Sequence, residues 1–270
     1  MTVNLSDKGL KEIVNNFDLF YIDIWGVVHN GIKLNDDAVY VLSELDNLKK
    51  EYVLLTNAPR PNSDVKRFLK KLGLDEKKSS KVYTSGQCSL NYLSNVKKDL
   101  NFFHLGPERD FGLFENFKSL KKGEINSSDY IICTGLFDEF KNLEYYKNFL
   151  ASCTDKEMVC TNPDLIVDRG EVREYCAGSI AKLFEGMGGK VKYFGKPYPL
   201  VYDSSTSNKD RTVLCIGDNL LTDIKGANIQ NFESLFILNG IHKNENQNQL
   251  NKLFEKYQVE VNYTQEKLKW

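Results

Sequence analysis

Residues 19–27 read Leu19-Phe20-Tyr21-Ile22-Asp23-Ile24-Trp25-Gly26-Val27. Four consecutive apolar residues with no polar alternation describe a strand covered on both faces, the kind found in parallel sheets flanked by helices. The run then stops on a carboxylate, Asp23, and a glycine three residues later allows a tight turn. A carboxylate set in an apolar stretch needs a charge partner. Asp23 is therefore the first residue whose purpose must be sought elsewhere in the chain.

Outward from this stretch the same kind of run recurs at Tyr52–Leu55, Tyr130–Cys133, Met158–Cys160, Val191–Phe194, Thr212–Ile216 and Leu235–Leu238. Amphipathic helices are expected between the runs. Ala38, Val41, Leu42, Leu45 and Leu48 share one face, as do Val65, Phe68, Leu69 and Leu72, and again Ala177, Ile180, Ala181 and Phe184. Buried strands alternating with helices indicate an α/β fold with a parallel sheet. The polar segment Met1–Phe17 reads as a short helix capped at Ser6.

At 270 residues the chain is long for one small module and short for two ordinary domains. Its 36 basic and 37 acidic residues leave a net charge of −1, which argues against a partner bound through a basic face, so neither nucleic acid nor a membrane surface is expected. No apolar run approaches the roughly 18–20 residues of a membrane span. The segment at the N-terminus lacks the apolar core of a signal peptide. Cys88, Cys133, Cys153, Cys160, Cys176 and Cys215 form no C-x-x-C pair, and His29, His104 and His242 do not complete a zinc spacing. Reduced thiols and a cytoplasmic location are expected. Nothing in the sequence decides the oligomeric state, and a homodimer stays open.

In open α/β sheets, ligands bind beyond the carboxyl ends of the strands. Asp23 follows the first run. Thr56-Asn57-Ala58-Pro59-Arg60 follows the second and is expected to open a helix. Gly195-Lys196-Pro197 follows Val191–Phe194, and Gly217-Asp218-Asn219-Leu220-Leu221-Thr222-Asp223 follows Thr212–Ile216. Together these residues suit phosphoryl transfer. Asp23 can attack phosphorus and form an aspartyl-phosphate. With Asp218 it can hold Mg²⁺, a hard cation that takes oxygen ligands. Thr56 can receive phosphate oxygens at a helix N-terminus. Lys196 neutralises developing charge, and Asp223 orients Lys196 or a metal-bound water. Taken singly, Thr56 and Asp218 read as caps or turn residues and Lys196 as a solvated lysine. The four together, in this chain order, favour the shared site.

These motifs resemble those of the haloacid dehalogenase superfamily, and more narrowly its class IIA, NagD-like branch. Asp23–Val27 is similar to the first motif, Thr56-Asn57 to the second, Lys196 to the third, and Asp218 with Asp223 to the fourth. Thr84-Ser85-Gly86 resembles the entry to the inserted cap. Cys160-Thr161-Asn162-Pro163-Asp164 resembles the cap signature, and Tyr175-Cys176-Ala177-Gly178 the return to the core. The resemblance implies a three-layer core at 1–80 and 186–270 with an α/β cap at 81–185. It also implies a Mg²⁺-dependent phosphohydrolase acting on a small phosphorylated substrate. Asp23, Thr56 and Lys196 would be catalytic, Thr56, Asn57, Asn162 and Asp164 would bind substrate, and Asp23, Trp25, Asp218 and Asp223 would hold the metal. Arg173 joins the expected cap lining.

One departure stands out. The family's first motif is Asp-x-Asp-Gly, and its second aspartate exchanges protons with the leaving alcohol and the attacking water. Here that position is Trp25, in a form similar to a subgroup carrying Asp-x-Trp-Gly-Val. The Trp25 carbonyl can still face the metal, but its indole cannot do the acid–base work. Such help contributes roughly 10²–10⁴-fold, so alkyl phosphates would suffer more than aryl or acyl phosphates. His29 is either a substitute acid or an idle loop residue. The competing reading is a catalytically weak relative that binds a phosphorylated ligand or a protein partner. Dinucleotide binding fails for want of G-x-G-x-x-G, and Gly186-Met187-Gly188-Gly189-Lys190 reads as the end of a helix, not as a phosphate loop.

Overall fold

All seven apolar runs fold as strands, and parallel ladders join them into two sheets. The computed structural model describes residues 2–97, 100–114, 121–169, 172–207 and 209–270. In chain order the first elements are β1 Val3–Asn4, β2 Leu19–Ile22, α1 Asp36–Asn47, β3 Glu51–Thr56, α2 Asn62–Lys71, α3 Glu76–Ser79, β4 Val82–Thr84 and α4 Ser85–Val96. Next come β5 Asn101–Leu105, β6 Lys121–Lys122, β7 Tyr130–Cys133, α5 Leu143–Leu150, β8 Glu157–Cys160, β9 Ile166–Arg169, β10 Val172–Tyr175, α6 Ala177–Gly186 and β11 Lys190–Tyr193. The chain closes with α7 Pro199–Ser205, β12 Val213–Gly217, α8 Lys225–Ile229, β13 Glu233–Ile237, α9 Gln247–Tyr257 and β14 Tyr263–Gln265.

Two compact units result. The first comprises Met1–Thr56, Lys66–Tyr83 and Lys196–Trp270; the second comprises Asn57–Val65 and Thr84–Gly195. The first contains the sheet β1-β14-β13-β12-β2-β3-β4. Ile22 pairs in parallel register with both Ile216 and Leu54, so the carboxyl ends of β12, β2 and β3 lie side by side. Every residue of β2 is buried, as the unalternated apolar run requires. Burying Phe20 alone contributes on the order of 2–3 kcal/mol.

The second unit contains the parallel sheet β11-β8-β7-β5-β6 and the antiparallel hairpin of β9 and β10. Its core gathers Ile131, Met158, Ile180, Ala181 and Phe184 with Tyr146. Thr84 caps α4 by accepting the Gln87 N–H at 2.9 Å. Relative to the expected breaks after 80 and 185, the compact units change over after Tyr83 and after Gly195. The later break follows from β11, whose Val191 pairs with Met158 of β8. Segment 57–65 joins the second unit through bonds such as Gly86 N–H to the Ala58 carbonyl at 3.1 Å.

Two local expectations change. The segment from residue 2 to 17 is not an α-helix but strand β1 followed by 3₁₀ turns at Leu10–Glu12 and Val14–Asn16. Backbone pairing outcompetes the helix here: the Val3 and Leu5 N–H groups donate to the Asn262 and Thr264 carbonyls. Ser6 caps nothing; its hydroxyl accepts the Glu266 N–H at 3.1 Å. Thr56 does not open a helix either. It ends β3, and α2 starts only at Asn62, because Pro59 and Pro61 hold the residues before them out of helical geometry. The glycines after α6 do close a helix: Gly188 and Gly189 N–H groups donate to Glu185 and Phe184 carbonyls, and β11 follows directly.

Candidate active site

The first unit's site is built at three adjacent strand ends. The Asp23 N–H donates to the Ile216 carbonyl at 2.8 Å, extending the β2–β12 ladder by one residue and fixing the Asp23 backbone. Asp218 follows β12 directly. Asp223 lies in a π-helical turn, Leu220–Ile224, capped by Asn219, whose side chain accepts the Leu221 N–H at 3.0 Å. The Asn219 N–H returns a bond to Asp223 Oδ2 at 3.1 Å. Lys196 then joins the pieces. Its Nζ donates to Asp23 Oδ1 at 2.5 Å, Asp223 Oδ1 at 2.6 Å and the Leu55 carbonyl at 2.9 Å, which employs all three ammonium hydrogens.

The electrostatics follow from a count. Asp23, Asp218 and Asp223 are buried, with ligand oxygens all within 4.8 Å of one another. One ammonium faces three carboxylates, leaving two negative charges in excess. Burial works against the Lys196 charge, but Asp223 and Asp23 outweigh it and raise its pKa. Burial drives the Asp218 carboxyl well above the usual carboxylate range; the charges of Asp23 and Asp223 add to this, and the Ile241 N–H and Lys196 oppose it. The cluster thus draws in either a proton or a cation, and a dication fits an all-oxygen donor set of this charge.

Backbone crowds the same carboxylate. Gly26 has φ +86, and a Cβ there would lie 2.2 Å from Asp218 Oδ2. A Cβ on Gly240 would approach that oxygen to 2.0 Å, and the neighbouring Ile241 N–H donates to it at 2.9 Å. Gly240 and Ile241 escaped sequence reasoning because a single backbone donor in a loop leaves no side-chain signature. Thr56 is buried at the end of β3.

Trp25 is half-buried, and its ring meets His29 edge-on at 5.1 Å between centroids. It also lies over Gly31, where a Cβ would come within 2.8 Å of its Cη2. His29 is buried, its Nδ1 accepts the Gly31 N–H at 2.8 Å, and its other ring neighbour is Phe68. Burial pushes the His29 pKa down to about 4. A neutral, packed imidazole is a poor proton donor at neutral pH, which argues against the substitute-acid reading of His29.

The second unit holds Asn57, Asn162 and Asp164. Asn57 Nδ2 donates to Asp164 Oδ1 at 3.0 Å, and the Asn162 side chain accepts the Asp164 N–H at 3.0 Å. The Ser85 hydroxyl lies 2.6 Å from the Thr161 carbonyl and 3.0 Å from that of Ala58. This ties the Thr84-Ser85-Gly86 stretch to the Thr-Asn-Pro-Asp stretch. Asn162 and Arg173 also line a cavity of about 380 Å³, together with Arg60, Arg109 and Lys141. Of those last three only Arg60 stood in a stretch singled out from the sequence; Arg109, in the 3₁₀ helix Glu108–Leu113, and Lys141, just before α5, carry no motif. Tyr145, Tyr146 and Phe149 pack in the unit's apolar core, as their helical spacing suggests.

A buried aspartate at a parallel strand's carboxyl end is joined through one lysine to a second buried carboxylate, with a third close by, on an α/β scaffold. Comparison with known proteins agrees. Residues 20–118 match the family of haloacid dehalogenase-like hydrolases, and residues 193–259 match a second family model of the same HAD-like kind. An acid sugar phosphatase of Staphylococcus haemolyticus (strain JCSC1435) is 27% identical over 226 residues, which span 80% of this chain and 83% of that protein. A haloacid dehalogenase-like hydrolase from Brucella suis 1330 superposes with a TM-score of 0.84 at 27% identity, over 96% of this chain and 98% of the other. A p-nitrophenyl phosphatase from Archaeoglobus fulgidus shares the fold at 20% identity, with a TM-score of 0.74 over 93% of this chain and 97% of its own. The chain belongs to the haloacid dehalogenase-like hydrolases.

Proposed function

We propose that the protein is a Mg²⁺-dependent phosphohydrolase that cleaves a small phosphorylated metabolite through an aspartyl-phosphate on Asp23. The observation that carries this reading is the buried Lys196 ammonium held between Asp23 and Asp223, with Asp218 in the same cluster. In the first step an Asp23 carboxylate oxygen bonds to phosphorus while the ester P–O bond breaks. Lys196 fixes the Asp23 side chain by binding its other oxygen and offsets charge on the transferring group. Thr56 orients the phosphate. Water then attacks phosphorus and releases Asp23. Asp23, Asp218, Asp223 and the Trp25 carbonyl would hold the cation in their excess-negative cradle. When bound, it supplies neutralisation of phosphate charge and alignment of the phosphate with the nucleophile.

The second unit takes the part of the cap domain, with Asn57, Asn162 and Asp164 contributing to substrate selection. The Trp25 indole cannot protonate a leaving alcohol, so aryl and acyl phosphates should outpace alkyl phosphates. The name of the Staphylococcus relative makes phosphorylated sugars the physiological class to assay first. Six free, buried thiols fit the reducing cytoplasm; among the described residues no helix is long and apolar enough to cross a membrane.

Trp25 is also the one feature that favours the rival reading, a weak hydrolase kept for binding a phosphorylated ligand or a protein partner. Turnover of aryl, acyl, sugar and nucleotide phosphates with Mg²⁺, alongside an Asp23→Asn control, separates the two. Turnover on a good leaving group that vanishes in the control is expected. The absence of any Asp23-dependent turnover refutes the enzyme reading.

A further inference from the structure

The sequence contains two Asn-Gly pairs, Asn30-Gly31 and Asn239-Gly240, and both asparagines are exposed. Such a pair is chemically labile. Glycine has no side chain to hinder its own backbone nitrogen, which can therefore reach the amide carbon of the asparagine before it. Whether it does so depends on what holds the two groups in place.

Asn30-Gly31 is held. Asn30 Oδ1 accepts the Ile32 and Lys33 N–H groups, each at 3.0 Å, and the Gly31 N–H donates to His29 Nδ1 at 2.8 Å. The nitrogen and its target are both engaged. Asn239-Gly240 differs. It lies in the turn after β13, where the Asn239 backbone N–H donates to the Glu266 carbonyl at 2.9 Å. Among the described residues, no hydrogen bond engages the Gly240 N–H or the Asn239 side chain. Nor can the glycine be exchanged. A Cβ at 240 would lie 2.0 Å from Asp218 Oδ2, the oxygen that accepts the Ile241 N–H at 2.9 Å. The close approach that shapes the carboxylate cluster thus keeps the labile pair in the chain.

We propose that Asn239 is a site of spontaneous deamidation, and that its isoaspartate product disables the cation cradle at Asp218. The Gly240 nitrogen, having lost its proton to solvent, bonds to Asn239 Cγ. The Cγ–Nδ2 bond breaks, and Nδ2 takes up a proton and leaves as ammonia. Water then opens the resulting succinimide at either carbonyl. One opening gives aspartate; the other gives isoaspartate, whose main chain runs through the former side chain and is longer by one methylene. That extra length falls next to Gly240, where the backbone has no room to shift towards Asp218 and where the Ile241 N–H must stay in place. The modification stands without the phosphatase reading; only its effect on the cation rests on that reading.

The test ages the full-length protein in mildly alkaline buffer without Mg²⁺. Peptide mass mapping with isoaspartate detection follows each asparagine, and thermal melts with and without Mg²⁺ are run on the same samples. Asn239 should convert at least about tenfold faster than Asn30, whose loop must first break three hydrogen bonds. The Mg²⁺-induced rise in melting temperature should fall in proportion to isoaspartate content. Asn239→Gln, which would need a larger ring to react, should neither convert nor lose its Mg²⁺ response on ageing. Fresh Asn239→Asp carries the new charge on an unchanged backbone and should keep the response. Conversion of Asn239 no faster than of Asn30 overturns the proposal. So does full conversion to isoaspartate with the Mg²⁺ response intact, or an equal loss in fresh Asn239→Asp. Fresh wild-type protein with no Mg²⁺ response removes the metal reading instead, and the ratio of the two conversion rates still decides the modification.

Discussion

Asp218→Asn should make the metal-free protein more stable and at the same time abolish its response to Mg²⁺. Asp218 faces two buried carboxylates with ligand oxygens within 4.8 Å and only one ammonium. At an effective dielectric constant of about 20, two unit charges at that separation repel by roughly 3.5 kcal/mol. Lys196 cancels about one of the two repulsions, which leaves a net penalty of about 3 kcal/mol on a charged Asp218, before the cost of its burial. Protonation can relieve part of this, in keeping with the upward displacement of its pKa. Asparagine is close to isosteric with aspartate, and its carbonyl can still accept the Ile241 N–H. A gain of about 2–3 kcal/mol is therefore expected in EDTA at pH 7.5, or roughly 5–10 °C in melting temperature for a chain of this size. The wild type should recover ground when Mg²⁺ is added: at 100 times its dissociation constant a ligand stabilises by about 2.7 kcal/mol. The variant should gain almost nothing. Thermal melts of both proteins in EDTA and in Mg²⁺ decide the matter. An Asp218→Asn protein that melts below wild type in EDTA, or that gains as much from Mg²⁺, would refute the charge-excess argument.

Two further outcomes follow from particular contacts. Trp25→Asp should raise turnover of alkyl phosphates by on the order of 10²–10⁴ if the missing proton donor limits the rate, at a cost of about 1–3 kcal/mol in packing lost against His29 and Gly31; an unchanged rate in a folded variant would count against that explanation. His104 is buried, its Nε2 lies 2.8 Å from the Thr134 hydroxyl, and burial, with Lys122 adding, holds its pKa near 4 instead of 6.5. Between those values the unfolded chain binds a proton that the folded one refuses, so stability present above pH 6.5 is lost as pH falls towards 4, by about 3 kcal/mol. Denaturant melts at pH 7.5 and 4.5 should show a shallower pH dependence in His104→Gln, with His29 supplying much of what remains; an identical slope would mean His104 is not held neutral.

The strands of the fold were legible because a buried parallel strand is a chemical monotone: Leu19–Ile22 and Tyr130–Cys133 have no polar residue to misplace, and both emerge with the bounds their apolar runs mark. Helix α6 was equally plain from the apolar stripe of Ala177, Ile180, Ala181 and Phe184. Segments whose partners lie far off in sequence were not. The N-terminal stretch looked helical, yet β1 is set by pairing with β14, some 260 residues away, a competitor local propensity cannot register. Thr56 looked like a helix cap because the run after it is helix-forming, while two prolines delay the helix to Asn62.

The same division holds at the site. From the sequence alone came an α/β fold with Asp23, Thr56, Lys196, Asp218 and Asp223 at strand ends, because the strand period and the residue types are local properties. Distances belong to the tertiary structure. Only the parallel register of β12, β2 and β3 levels the strand ends, and only Lys196 reaching across from residue 196 to Asp23, Leu55 and Asp223 turns scattered polar residues into a charge-excess cluster. His29 shows the contrast in one side chain. In the sequence it was either a substitute acid or an idle loop residue; packed against Trp25 and Phe68, it stays neutral, because burial penalises its charged form.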